Sequence, residues 1–323
     1  MIYDIIGDIH GHADALEGLL AVLGYSRRRG GSGYAHPDPH RMAIFVGDLV
    51  DRGPHIPRTI RIVRRMLDSG TAYMVMGNHE YNLIGYHTLR HDRPHAYVRA
   101  RSEPHMRQCR ETLRQYAHSP AELHDVLDWM KSLPLYLDFP QLRIVHAAWQ
   151  PQAAATVQQY APDTHHLSES LLQDSAVYGT PAFYAVEQLL KGVEINLPEG
   201  VTYRDKEGTE RTRSRVAWWF TPDARPVTLG NLLFPPGVVP DQEIIHTPIS
   251  PKEMQHVPGY RDGIPVFVGH YWLTGTPSVI NSRICCVDYS IAAGGLLAAY
   301  TFSGESELQN TNFTCVDAAG NLQ

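Results

Sequence analysis

Along residues 1–76 the apolar positions follow two alternating patterns. Residues 2–6, 42–46 and 71–76 are short, nearly continuous apolar runs, the form of buried strands. Between the first two, Leu16, Leu19, Leu20 and Leu23 recur at three- and four-residue spacing and predict a helix over 13–23. Ile56, Ile60, Val63 and Leu67 repeat that spacing after Pro54 and Pro57, with Gly70 just past the end. Proline in a helix's first turn and glycine after its last are ordinary boundary signals. The stretch 27–39 is rich in glycine and proline and reads as a loop. Strand, helix, strand, helix, strand is the order of parallel pairing through right-handed crossovers. Such sheets bind ligands beyond the carboxyl ends of their strands.

Residues 80–133 read as mostly helical. The clearest segment is 121–133, where Leu123, Val126, Leu127 and Met130 form a stripe that reads, with Met106, as core. Residues 135–139 and 142–145 read as a strand pair across Pro140-Gln141, and 167–172 and 182–190 as helices. Residues 201–205 and 212–219 predict a hairpin about Lys206-Glu207-Gly208. Residues 222–262 carry eight prolines and read either as a surface excursion that shapes substrate access or as a plain linker. The runs 265–268, 279–289 and 296–302 close the chain as strands of a second sheet.

Composition narrows the function classes. The chain has 323 residues and 43% apolar content, ample for a globular core. Net charge is −6 with no block of one sign, which argues against nucleic acid as a partner. The basic run Arg27-Arg28-Arg29 reads as a solvated loop. Four cysteines, Cys109, Cys285, Cys286 and Cys315, include no Cys-x-x-Cys pair. They read as reduced thiols, with Cys285-Cys286 as strand packing. No signal peptide and no apolar run of about 18 residues is visible. The expectation is a cytoplasmic protein with no membrane partner. Of the eighteen histidines, His36, His40, His165 and His166 read as surface, and His87, His91 and His95 as rim residues at most.

The chemistry concentrates at strand ends. Gly7-Asp8-Ile9-His10-Gly11, Gly47-Asp48-Leu49-Val50-Asp51-Arg52-Gly53 and Gly77-Asn78-His79-Glu80 each follow one of the three apolar runs. His146-Ala147-Ala148 and Gly269-His270 each follow a later one. Carboxylate, amide oxygen and imidazole suit hard or borderline divalent metals. Asp48, on the middle motif, is best placed to bridge two of them. Two metals about 3.5–4 Å apart can share a hydroxide and clamp an in-line displacement at phosphorus. The Arg52 guanidinium matches two phosphoryl oxygens, although it could instead pair with Asp51.

In this order these stretches resemble the calcineurin-like metallophosphoesterases of the phosphoprotein-phosphatase type. That superfamily includes serine/threonine phosphatases and bacterial diadenosine tetraphosphatases. Residues 3–11 and 51–55 are most similar to the bacterial dinucleoside-tetraphosphatase branch. The resemblance covers about 1–90, 130–150 and 265–303. It implies an α/β fold, a β-sandwich of two mixed sheets flanked by helices, in one domain over 1–323 with a family-variable insertion at about 150–265. It implies that Asp8, His10 and Asp48 hold one divalent metal and that Asp48, Asn78, His146 and His270 hold a second. Manganese is the first choice, with iron or zinc as alternatives. His79 would protonate the leaving oxygen, oriented by Asp51. Arg52 would bind phosphate, helped by a second arginine assigned to Arg215 or, failing that, Arg213. Ala147-Ala148 stands where the family often has glycine. The implied activity is hydrolysis by a metal-bridged hydroxide, first of a dinucleoside polyphosphate. The alternatives are a serine/threonine protein phosphatase, an enzyme removing phosphate from nucleic-acid ends, and a non-catalytic binder of phosphorylated ligands.

Overall fold

The computed structural model describes residues 1–28, 33–204, 210–221, 227–237, 239, 242–249, 254 and 257–323. Contacts divide them into two units, residues 1–190 with 264–323, and residues 191–263. In order, the chain first runs through β1 (Ile2–Ile6), α1 (Ala13–Val22), β2 (Ser26–Arg27), β3 (Tyr34–Ala35), β4 (Arg41–Phe45), α2 (Ile56–Asp68), β5 (Ala72–Met74) and α3 (Asn78–His87). Then come α4 (Glu103–Gln115), α5 (Pro120–Lys131), β6 (Tyr136–Asp138), β7 (Arg143–Val145), α6 (Pro151–Tyr160), α7 (Glu169–Ser175) and α8 (Pro181–Lys191). The second unit holds β8 (Glu194–Asn196), β9 (Tyr203–Arg204), β10 (Glu210–Arg211), β11 (Arg213–Arg215), α9 (Leu229–Leu232) and α10 (Gln242–Ile245). The chain returns to the first unit with β12 (Val266–Val268), β13 (Ile284–Cys286), β14 (Asp288–Tyr289), β15 (Leu296–Phe302) and β16 (Phe313–Val316).

β1, β4 and β5 pair in parallel, with α1 and α2 in the connections, as the alternating pattern predicts. On the other side of β1 lies β15, antiparallel, flanked by β14 and β16. Residues 296–302, expected in the second sheet, therefore belong to the first. A continuous apolar run marks burial on both faces but carries no information about which strand lies beside it. The second sheet has the order β13-β12-β7-β6, with only the β6–β7 pair antiparallel.

The two sheets face each other through one core. Tyr3, Ile5, Ile44, Val46 and Tyr300 from the first pack with Ile144, Phe267 and Cys285 from the second. Each large apolar side chain buried here contributes about 1.5–3 kcal/mol. Truncating the fully buried Phe267 to alanine is expected to cost about 3–5 kcal/mol. This packing fixes the carboxyl ends of β1, β4, β5, β7 and β12, from which the site is built.

Several local expectations change. Residues 27–39 are not all loop, because β2 and β3 form a short antiparallel pair. Residues 88–102 form no helix, and Met106 is 47% exposed rather than core. The ring of His165 stacks on Tyr136 with centroids 4.4 Å apart, so it is not a bare surface residue. α6 was not anticipated, its apolar positions being mostly alanines with little periodic contrast. In the second unit β11 pairs with β8, and β9 with β10. The hairpin thus has different partners from those expected, and its turn at 206–208 lies outside the described residues. So do Arg29, Pro222, Pro226, Pro240 and Pro251. Two short helices, α9 and α10, punctuate 222–262. Among the described residues no helix is long and apolar enough to cross a membrane.

Candidate metal centre

Each parallel strand of the first sheet ends in glycine and then a polar residue, and close approach explains the glycine. A Cβ on Gly77 would stand 2.2 Å from Asp48 Oδ1 and 2.4 Å from the Asp48 nitrogen. Gly47 has φ +107°, and a Cβ there would stand 2.5 Å from the Gly77 nitrogen. The loops after β4 and β5 can touch only because both positions lack side chains.

Glu80 holds the two loops together. Its carboxylate accepts from the backbone N–H groups of Asp48 (2.8 Å), Leu49 (2.7 Å) and Gly77 (2.9 Å). Gly77 is the N-cap of α3 and Glu80 its third residue, so the same side chain also closes the helix start. In return the His79 N–H donates to Asp48 Oδ1 at 3.0 Å.

Asp8, His10, Asp48, Asn78, His146 and His270 converge and are all buried. Asp48 lies at the centre. Its Oδ2 is 3.6 Å from His10 Nε2 and 3.5 Å from His146 Nε2. Asn78 Oδ1 lies 3.0 Å from His146 Nε2 and 2.7 Å from His270 Nδ1. The His270 N–H donates to Asp8 Oδ2 at 3.1 Å. The Val50 and Val46 carbonyls accept from Nδ1 of His10 and of His146, both at 2.7 Å. Those bonds direct each Nε2 lone pair inward, as metal-binding imidazoles require.

The charge state of the centre calls for a cation. Burial, then repulsion from Asp288 and Asp48, pushes the Asp8 carboxyl well above the usual range. Burial would also raise Asp48, but the imidazoles of His146, His79 and His10 outweigh it and hold Asp48 well below. Burial and the neighbouring His79 keep His10 well below its ordinary value, hence neutral. Burial opposes charging of His146, yet the Asp48 carboxylate holds its pKa above the ordinary value. Among the described residues Asp8 Oδ1 and His10 Nε2 are buried with no hydrogen-bond partner, the condition a metal would relieve. His10, Asp48 and His79 offer ligand atoms within 4.8 Å of one another, and so do Asp48, His146 and His270. The donor set fits divalent metals.

Beside this cluster His79 Nδ1 and Asp51 Oδ2 are 2.6 Å apart. The Thr112 hydroxyl donates to Asp51 Oδ1 and accepts from the Asp51 N–H at 3.0 Å. Arg52 lies on the exposed side, its guanidinium 3.9 Å from the Trp272 ring centroid and 3.4 Å from His79 Nε2. Arg215 belongs to the second unit, where its Nε donates to the Lys191 carbonyl. Arg213 pairs there with Glu194. Ala147 and Ala148 are fully buried and neither has positive φ, so the missing glycine leaves no backbone strain.

Sequence reasoning missed the supports. α4, in a stretch that the family resemblance did not reach, braces the Asp48 loop with Thr112 and with Gln115, which bonds Ile56 and Gly53. Gln108 from the same helix lies 3.4 Å from His79 Nε2 and accepts from Arg99, which also donates to Asn82. Asp288 accepts from the N–H groups of Trp272 and Ser290 and shapes the loop after β12. Only Glu80 carried a readable signal, a glutamate at the third helix position. The loops also concentrate left-handed backbone at His10, Asp48, Asp51, Arg52, His270 and Trp272. Such conformations cost roughly 1–3 kcal/mol at an unsuitable side chain and gather at functional sites.

A family model described as calcineurin-like phosphoesterase matches residues 1–182. A protein of Halalkalibacterium halodurans named bis(5'-nucleosyl)-tetraphosphatase PrpE (asymmetrical) is 51% identical over 86 residues, 27% of this chain and 34% of the relative. Its namesake in Oceanobacillus iheyensis is 43% identical over 79 residues, 24% of this chain and 30% of the relative. The chain thus spans about a third of the length of the curated relatives it matches. A solved serine/threonine phosphatase from Saccharomyces cerevisiae superposes with a TM-score of 0.48 at 14% identity, covering 98% of this chain and 79% of that one.

Proposed function

Because the chain belongs to the calcineurin-like phosphoesterase family, we propose that it hydrolyses a phosphoanhydride of a dinucleoside polyphosphate, of the diadenosine tetraphosphate type. The observation that carries the reaction class is the gathering of five buried donor residues around Asp48 beside the His79–Asp51 pair. The substrate class rests on the names of the relatives that share the amino-terminal motifs.

In this reading Asp8, His10 and Asp48 hold one metal, and Asp48, Asn78, His146 and His270 the other. Manganese suits the mixed oxygen and imidazole set, with iron or zinc as alternatives. When bound, such a pair supplies Lewis-acid activation of water and of phosphoryl oxygens. Arg52 grips the phosphoryl group with its fork. Trp272 beneath it limits the directions the guanidinium can take. Asp51 anchors His79 through Nδ1, so that Nε2 faces the reacting side and passes a proton to the leaving oxygen. Thr112 fixes the Asp51 carboxylate that does this orienting. Arg215 is the proposed second phosphate contact. We place the protein in the cytoplasm, where its four buried, unpaired cysteines would stay reduced.

The deciding experiment is a panel with Mn²⁺, comparing a dinucleoside tetraphosphate, a phosphopeptide, an aryl monoester and an aryl diester. The highest kcat/KM is expected for the tetraphosphate. Preference for the phosphopeptide would replace this reading with a protein phosphatase.

A further inference from the structure

A second concentration of charge lies on the outer side of the α1–α2 pair and shares no residue with the metal centre. A cavity of about 240 Å³ opens there between α2 and the β2–β3 hairpin. Five arginines line it, Arg27 and Arg28 from the hairpin and Arg58, Arg61 and Arg65 from α2, together with Glu17 and Tyr34. Helical spacing explains the second group, since 58, 61 and 65 recur at three and four residues on one face. The hairpin brings the first group across, closed by the Arg28 N–H donating to the Gly33 carbonyl at 3.0 Å. In a chain of net charge −6 this gathering is not a default of composition.

The arginines divide into two kinds. Arg27 and Arg58 are structural and both bind the Glu17 carboxylate. Arg58 also reaches Asp14 at 2.6 Å. The Tyr34 hydroxyl accepts from Arg27 Nε and donates to Glu17, each at 2.8 Å. Arg28, Arg61 and Arg65 have no carboxylate partner among the described residues, and all three are exposed. Arg64, on another face of α2, is by contrast neutralised by Asp125. Three guanidiniums without a carboxylate partner among the described residues line one cavity and repel one another, and a multivalent anion would reverse the sign of that interaction.

We infer that this cavity binds the phosphate chain of a small oligophosphate ligand, at a site separate from the metal centre. Guanidinium forks recognise phosphoryl oxygens in pairs. The volume sets the size of the ligand. It falls below the ~300–1,000 Å³ of pockets that enclose whole drug-sized molecules. Two or three phosphoryl groups fit, and any attached organic part would lie outside. The paired arginines form a rigid wall, and Arg28, Arg61 and Arg65 supply the contacts.

The test is calorimetric titration of inorganic tripolyphosphate into the full-length, metal-loaded protein at low salt. Wild type is compared with Arg61→Ala/Arg65→Ala, with Arg28→Ala and with Arg52→Ala. Two classes of site are expected in wild type. The double variant should weaken one class by about tenfold or more and leave aryl monoester hydrolysis unchanged. Arg28→Ala should weaken the same class, and Arg52→Ala should affect only the other. Arg61 and Arg65 are exposed, so the double variant should melt no lower than wild type without ligand and lose part of the tripolyphosphate-induced rise. Equal affinity and stoichiometry in wild type and both cavity variants would overturn the proposal. So would a cavity that binds a duplex oligonucleotide, with the same sensitivity to Arg61 and Arg65, but not tripolyphosphate.

Discussion

The metal centre and the arginine cavity carry opposite surpluses of charge and are built by opposite means. At the centre, acids and imidazoles are buried on irregular loops, and backbone hydrogen bonds through Glu80, Val46 and Val50 fix them. At the cavity, long cationic side chains project from a regular helix and a hairpin, and only the two paired arginines are held. The first arrangement is pre-set for a cation and tolerates little displacement. The second can follow an anion of variable length. Precision near the reacting atoms comes from the backbone, whereas capture at a distance needs only side chains.

The largest expected effect breaks the first half of this contrast. Asp48→Asn should abolish hydrolysis and lower bound metal from about two per chain, read by elemental analysis of purified protein. Metal-replete, active Asp48→Asn protein would remove Asp48 from the bridging position. Next, His79→Asn should reduce kcat by about 10²–10⁴-fold with metal content unchanged. The loss should be greatest for poor leaving groups, and full activity on them would end the proton-donor role. Glu80→Gln should weaken metal affinity by about 10–100-fold, measured by chelator competition, because a second-sphere support is lost.

Metal removal sharpens the electrostatic side. Folding raises the pKa of both His146 and Asp8 in the metal-free state. A raised group stabilises the fold below its unfolded pKa, and that contribution is lost as pH rises through the folded value. The metal-free protein should therefore weaken from about pH 4 upward through Asp8, and further from about pH 6.5 upward through His146. The gap in Tm between metal-loaded and chelated protein should widen between pH 6.5 and 8 in a calorimetric series. A gap that narrows would reverse the assignment. The smallest effect is expected at the thiols. Cys109 is pushed up to about 11 and Cys315 to about 11, both by burial first. Alkylating reagent at pH 8 should leave native protein unlabelled and fully active.

The contrast also separates what was legible in the sequence from what was not. Asp8, Asp48 and Asn78 were visible because each follows an apolar strand and a glycine, and parallel topology brings such ends together. Thr112 and Gln115 were not, since nothing in an amphipathic helix marks which polar residue will reach a loop some 60 positions earlier. The place of Leu296–Phe302 depended on strand order, which burial patterns do not encode. Asp288 sat inside an apolar run with no local cue. Arg27 and Arg28 looked like solvated charge because Arg61 and Arg65 lie a helix away in sequence. The cavity exists only once the hairpin closes over α2.

The left-handed residues of the loops have a consequence for any attempt to improve this protein. At His10, Asp48, Asp51, Arg52, His270 and Trp272 glycine relieves backbone strain most directly, and asparagine is among the next best tolerated. Each such change also deletes a side chain of the candidate site or, at Trp272, the ring that packs on Arg52. A library selected for heat resistance alone should therefore drift toward glycine and asparagine at these positions and lose its chemistry as it gains degrees. Arg52 and Trp272, whose bulk suits that conformation least, should be the first to go.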